Sequence, residues 1–357
     1  MFNPNTPFEL PELPDCVNVS NNDFVELLIA VRTELAELKG YSHKLPNPLL
    51  LLSPTILKES LASSNIENIN TTLEDVLCNE LFPETERKKP DKEVLKYRDA
   101  VLYAFNALKE VPLSSRIILG IHEMLDTTDA PNYRKIQNKI ENSLTKEAIY
   151  TPPPANKIPQ LISNWEKFVN SEDSKFDPVL KAVIAHYQFE SIHPFGDGNG
   201  RTGRILLLMQ LIQDKILTLP VLYISGYINK NRPKYYETLR NVTKENNWTN
   251  YCAYMLNAIY LQALETKNLI FSISALYDSF KEKVRIESKK IYSSDLIDIL
   301  FSYPIITPVK LGSILNIHYT TASRYLTELS RKGLLSENKV GKYHLFTNLE
   351  LMNTINL

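Results

Sequence analysis

Helical spacing of the apolar residues recurs along most of the chain and constrains the fold more than any other feature. Between residues 23 and 38 apolar residues recur at Phe24, Leu27, Leu28, Val31, Leu35 and Leu38. Recurrence at three and four residues puts them on one helix face. The same spacing returns at 92–111, 114–125, 158–169, 178–191, 201–217 and 233–264. Glycine, which weakens helix interiors, is scarce, at 10 in 357 residues. These patterns predict a mainly α protein. Residues 1–22, rich in Pro and Asn, read as an extended arm. A Pro-rich break follows at 45–48. Ser53 and Pro54 then read as a cap and first helical residue, opening a helix that leads towards Ser63 and Glu67. Residues 133–140 and 148–150 flank a polar stretch and read as a hairpin, ended by Thr151 and three prolines.

Composition narrows the class. Hydrophobic residues make up 43% and charged residues 23%, ordinary for a globular chain of two or three domains. A net charge of −1 excludes a protein that coats nucleic acid over its whole surface, but leaves room for a local basic patch. Cys16, Cys78 and Cys252 are isolated and have neither metal nor redox spacing. The first residues lack a basic stretch and an apolar core, and the apolar run at 49–52 is too short to cross a bilayer. The expectation is a cytoplasmic enzyme without a membrane partner.

The last seventy or so residues change character. Short helical patterns at 293–302, 308–315 and 319–332 precede two short segments, 333–335 and 343–346, around a polar turn with Gly341. Three helices followed by a two-stranded wing is the order of a winged helix-turn-helix.

One loop departs from the helical pattern and carries the chemistry: His193-Pro-Phe-Gly-Asp-Gly-Asn-Gly-Arg-Thr-Gly-Arg204. Gly196, Gly198 and Gly200 alternate with Asp197 and Asn199, so the backbone can present N–H groups just where a helix begins, which suits a phosphate. Arg201 and Arg204, at i and i+3, share one face of that first turn. Two cations there oppose the helix dipole by roughly 0.3–1 kcal/mol each, a conflict that a polyphosphate removes. Asp197 supplies one hard carboxylate, enough for Mg²⁺ that also binds nucleotide phosphates. His193 is a base that titrates near neutrality. Gly198 to Gly203 also spells the dinucleotide-binding fingerprint, but no strand precedes it and no βαβ unit follows. A Walker motif is absent. His186, Glu190 and His193 lack zinc-protease spacing.

The segment 193–204 matches the Fic family motif, His-x-Phe-x-Asp/Glu-Gly-Asn-Gly-Arg-x-x-Arg, at every fixed position. The resemblance extends over about residues 92–264 and includes Asn132-Tyr-Arg134 with the preceding proline, Tyr150-Thr-Pro-Pro-Pro154 and Tyr235-Tyr236. It implies a compact helical bundle with a β-hairpin flap. It further implies that His193 deprotonates a Ser, Thr or Tyr hydroxyl of a target protein and that Asp197 holds Mg²⁺. Asn199 with the Gly198 and Gly200 amides would hold the α- and β-phosphates of ATP, and Arg201 and Arg204 the β- and γ-phosphates. Thr202 and Gly203 complete the nucleotide-binding run. The flap, about residues 138–150, would pair with an extended target segment. The stretch from Asn229 and Lys230 to Tyr236 resembles the family's nucleoside end.

Upstream, Ser63-Ser-Asn-Ile-Glu67-Asn68 resembles the family's inhibitory pattern. Ser63 and Glu67 are i and i+4 on one helix face. The resemblance implies that Glu67 engages Arg204, so that the γ-phosphate is not held. The expected division is an N-terminal helical region with the inhibitory motif at 1–91, a Fic catalytic core at 92–284 and a winged-helix domain at 285–357. The expected activity is AMP transfer from ATP to a protein hydroxyl, self-modification included.

Three alternatives stand beside that reading: UMP or phosphate transfer, removal of AMP, or a DNA-binding regulator whose core senses nucleotide. Gly200-Arg201 favours AMP transfer over kinase-like relatives, which have Lys-Arg there. The intact His193 speaks against a pure sensor. For the winged helix, Thr320, Thr321, Ser323, Arg324, Arg331, Lys332, Lys339 and Lys342 offer contacts to DNA phosphates. Residues 286–357, however, hold eight Lys/Arg against six Asp/Glu, a net charge of only +2. Docking to a protein, or to a second copy in a homodimer, stands equally open.

Overall fold

The computed structural model describes residues 2–43, 48, 53–125, 132–141 and 145–356. Parts of the Pro-rich break (45–47), the apolar run 49–52, Pro131 and flap residues 142–144 lie outside the described residues. The protein is mainly helical, with one two-stranded and one three-stranded antiparallel sheet among the described residues.

Two helices form the centre. Helix α7 (Pro178–Ile192) buries 13 of its 15 residues and α8 (Asn199–Gln213) buries 12 of 15. Both are apolar around most of their circumference, as a helix surrounded by others must be. Asp177 caps α7 by accepting from Val179 N–H at 2.8 Å, with Pro178 at the first helical position. The loop 193–198 joins these two helices, so its ends are fixed by the best-packed part of the core.

Other helices surround the pair: α1 (Val25–Ser42), α2 (Ser53–Ile66), α3 (Leu73–Glu80), α4 (Lys89–Ala107), α5 (Ser115–Leu125) and α6 (Ile158–Val169). Then come α9 (Ile224–Lys230), α10 (Arg232–Glu245) and the 40-residue α11 (Trp248–Glu287). Helix α1 lays Leu28, Val31, Leu35 and Leu38 against α11, where Lys267 reaches Glu34 and Glu37 at 2.6 Å each. The Pro-rich arm is extended but not loose. Leu10, Leu13, Val17 and Val19 are buried, and the Asn164 side chain bonds both the N–H and the C=O of Leu13 at 2.9 Å.

Two expectations need correction. The helix expected at 233–264 is two helices: Asn246 turns left-handed (φ 54°), and the Asn247 side chain caps α11 by accepting from Asn250 N–H. Side-chain capping outweighs the unbroken apolar spacing there. The strand expected at 133–140 shrinks to β1 (Ile140–Glu141), paired with β2 (Ala148–Tyr150). Residues 134–138 bond instead to the loop ends: Arg134 N–H to Pro194 O, Gln137 Nε2 to Pro152 O and Asn138 Nδ2 to Phe195 O. Helices α3 and α9 were not read from the sequence.

The C-terminal module has α12 (Ser294–Ser302), β3 (Ile305–Ile306), α13 (Pro308–Leu315), α14 (Tyr319–Arg331), β4 (Ser336–Val340), β5 (Tyr343–Thr347) and α15 (Leu349–Asn356). Its sheet order, β3-β5-β4, is that of a winged helix-turn-helix. Helix α11 runs unbroken across residues 284 and 285. The wing folds back onto the N-terminal region: the Tyr343 ring stacks on Phe82 at 4.5 Å, and Lys342 Nζ meets Glu86 Oε1 at 2.9 Å.

Candidate active site

A cavity of about 690 Å³ opens where the 193–200 loop, the end of α2, the flap and α10 converge. His193 ends α7 in a left-handed conformation, φ 50° and ψ 60°. A non-glycine residue there is uncommon and must be held by its surroundings. Its N–H donates to Phe189 O at 3.1 Å, and its C=O accepts from Arg134 Nε at 2.9 Å. The same guanidinium donates to Pro153 O at 2.6 Å and Ile136 O at 3.2 Å, so one side chain ties the loop to the flap's base. Burial pushes the His193 imidazole down to about 4, against the pull of its contact with Glu190 O. The ring is therefore neutral at pH 7 and able to take a proton.

Past His193 the chain closes on itself. Asn199 Oδ1 accepts from Phe195 N–H at 2.8 Å, and its Nδ2 donates to Phe195 O at 2.9 Å. The side chain expected to hold phosphate thus engages both polar atoms in shaping the loop. Gly198 takes φ 77° at the start of α8, a conformation that side chains avoid. Asp197 stands out of the loop with its side chain 83% exposed. Its Oδ1 accepts from Gly198 N–H at 2.7 Å, and Arg201 Nη2 lies 3.7 Å from Oδ2. Among the described residues no group of three or more His, Cys, Asp or Glu could hold a metal by itself. An exposed single carboxylate beside an anion-binding helix start fits a Mg²⁺ that shares nucleotide phosphates.

The two arginines diverge. Arg201 turns to Glu93 of α4, with Nη1 at 2.9 Å from Oε2, and is absent from the cavity wall. Arg204 faces the cavity and is 2% exposed. Its Nη2 donates to Glu67 Oε1 at 2.8 Å and Ser63 O at 3.1 Å, and its Nε to Ser63 Oγ at 2.9 Å. Burial works against its charge, but Glu67 and its neighbours raise its pKa above the usual arginine value. A Cβ on Gly200 would lie 2.6 Å from Glu67 Oε1 and 2.9 Å from Arg204 Nη1, so this contact needs the glycine. Gly203 backs onto Glu190, whose Oε1 a Cβ would strike. Thr202 is buried behind the loop. Asn68 ends α2 at φ 62°, which explains why Asn or Gly suits that position.

The third group of expected residues is split. Tyr236 lines the cavity, together with Arg232. Asn229 sits behind, bonded to the Arg232 guanidinium, which also donates to Asn65 O and Asn68 Oδ1. Lys230 points away, 4.0 Å from Glu265, and does not reach the cavity. The sequence assigns no role to Arg134 or Glu93, whose contacts with His193 and Arg201 join positions distant in sequence, and includes Arg232 only as part of the 229–236 stretch. Glu190 enters the sequence reading only as a metal ligand of unsuitable spacing. Its Oε1 is buried without a hydrogen-bond partner, and burial pushes its carboxyl up to about 7.

Three family models match the chain. The Fic/DOC N-terminal model covers residues 25–106 and the Fic/DOC model covers 112–211. The model of the C-terminal domain of SoFic-like protein adenylyltransferases covers 276–351. The chain belongs to the Fic family. An Aquifex aeolicus protein named as a probable protein adenylyltransferase is 32% identical to this Fic chain over 190 residues, 51% of this chain and 53% of that protein. The Aedes aegypti protein adenylyltransferase Fic is 31% identical over 150 residues, 41% of this chain and 27% of that protein. The match thus spans about half or less of these curated relatives. A Fic family protein from Desulfovibrio desulfuricans G20 shares the fold, with a TM-score of 0.57 at 18% identity over 96% of this chain and 98% of that one. Among the described residues no helix is long and apolar enough to cross a membrane.

Proposed function

We propose that this Fic chain transfers AMP from ATP to a Ser, Thr or Tyr hydroxyl of a target protein, and that Glu67 restrains it. The carrying observation is that His193, neutral by burial, shares one cavity wall with the start of α8 and with Arg204. His193 takes the proton of the target hydroxyl while that oxygen attacks the α-phosphorus. The bond from the α-phosphorus to the bridging oxygen breaks, and pyrophosphate leaves. The N–H groups at Gly198 to Gly200 and the helix start hold the phosphates. Asp197 is the residue to hold Mg²⁺, which would offset phosphate charge when bound. Residues 92–284 form the catalytic core in this reading, and the N-terminal helices carry the restraint.

Arg204 is the γ-phosphate ligand and serves Glu67 instead while α2 is in place. Glu67→Gly protein incubated separately with labelled ATP, UTP, GTP and CTP, and read by intact mass spectrometry, tests both points. The expected result is self-modification by AMP that exceeds wild type. UMP addition would change the nucleotide assignment. No adduct from a folded variant with any nucleotide would overturn the transferase reading.

A further inference from the structure

Helix α10 runs outward from the nucleotide end of the cavity. Tyr236, Arg240 and Lys244 follow one another at i, i+4 and i+8 on one face. Beyond the main cavity lies a second hollow of about 220 Å³, which shares Phe2, Ile149 and Arg240 with it. Its remaining walls are Pro4, Glu147, Ala148 and Lys244. The three sides are thus the flap strand β2, the outer part of α10 and the N-terminal arm.

The arm is fixed there by several contacts. Phe8 N–H donates to Thr151 O at 2.9 Å, and Thr151 Oγ donates to Pro4 O at 2.6 Å. Phe2 stacks on Tyr150 with centroids 6.5 Å apart and planes 12° from parallel, and Lys244 Nζ lies 5.9 Å from the Phe2 ring centre. The charge of the hollow is mostly positive. Arg240 and Lys244 are both exposed, and among the described residues neither forms an ion pair, whereas nearby Lys234 is paired with Glu237 at 3.3 Å. Glu147 on the opposite wall is exposed and bonds to Thr145. None of the phosphate-facing residues 193–204 reaches this hollow. It therefore lies on the flap side, where a target segment passes, rather than on the nucleotide side.

We propose that the hollow between Phe2, Ile149, Arg240 and Lys244 is a specificity subsite for an acidic side chain of the target. This rests on the adenylyltransferase reading above. A target segment extended along the flap presents its hydroxyl to His193 and an Asp or Glu a few residues away to the two cations. The fixed arm closes the third side, so the subsite is built from residues outside the catalytic motif.

The test uses full-length Glu67→Gly protein with ATP and acceptor peptides centred on Ser, Thr or Tyr. Asp, Ala or Lys is placed in turn at each flanking position. At one position Asp peptides should be modified about fivefold or more faster than Lys peptides, with the difference in KM for peptide and weakened by salt. In Glu67→Gly/Arg240→Glu/Lys244→Glu, the preference should reverse. Both substituted residues are exposed, and a thermal melt checks folding. Equal rates for Asp and Lys peptides, or a preference that charge reversal leaves unmoved, would overturn the subsite. So would a rise in KM for ATP with peptide preference unchanged, which would assign the cations to the nucleotide. If folded Glu67→Gly protein modifies neither itself nor any peptide, the transferase reading fails and the subsite with it.

Discussion

Arg204 Nη2 donates to Glu67 Oε1 at 2.8 Å across 137 positions of sequence, at a site where Arg204 is 2% exposed. A guanidinium that holds a carboxylate in this way does not at the same time clamp a terminal phosphate. Glu67→Gly should therefore raise self-modification by on the order of tenfold or more, and Arg204→Ala should be inactive. The double variant should remain close to Arg204→Ala, since no arginine is left to release. A double variant as active as Glu67→Gly would show that Glu67 acts by another route, such as blocking the nucleotide.

In the proposed reaction His193 is the group that would set the pH dependence. With its pKa lowered to about 4, the base form is present above about pH 4 rather than only above the ordinary 6.5. Lowering the pH from 8 to 6 should thus leave kcat/KM of the Glu67→Gly enzyme unaffected by this group, and the acid limb should fall below pH 6. An inflection near 6.5 that His193→Ala removes would show a solvated imidazole instead. His193→Ala itself should keep ATP binding by calorimetry and lose about 10²–10⁴ in transfer rate.

Arg134 holds the His193 backbone and is absent from the cavity wall. It joins His193 O, Pro153 O and Ile136 O, and so holds a left-handed residue in place. In the Glu67→Gly background, Arg134→Ala should lower kcat by about 10–100-fold while KM for ATP changes by less than about twofold. A loss confined to KM for ATP would remove this positioning role.

The wing is engaged within the chain. Tyr343 stacks on Phe82 and donates to Glu86, and Lys342 pairs with Glu86. Tyr343→Ala should lose about 0.5–1.5 kcal/mol of stacking and lower Tm by on the order of 1–4 °C, read by calorimetry. An unchanged Tm would mean that the wing's docking contributes nothing. A mobility shift with DNA that Lys339→Ala/Lys342→Ala leaves intact would place any phosphate contacts on α14 rather than on the wing.

The sequence by itself determined the helical character, the order of elements in the C-terminal module and the segment on which the proposed chemistry is placed. Apolar spacing is local, and the glycines, Asp197 and His193 lie within the single segment 193–204, so the roles proposed for them could be argued from neighbouring residues. It did not reveal where the long pattern at 233–264 breaks, because Asn246 and Asn247 interrupt by capping without disturbing the apolar spacing. The family resemblance implied that Arg204 meets Glu67, and the structure has that contact at 2.8 Å, but only the tertiary structure decided that Arg201 turns to Glu93. Arg201 and Arg204 are alike in sequence, at i and i+3, yet one turns to Glu93 and the other to Glu67. That difference arises because α4 and α2 both pack on α8, and each buried guanidinium takes the carboxylate within its reach. Likewise Lys230 is turned towards Glu265, 35 positions on, by a packing that no residue spacing encodes.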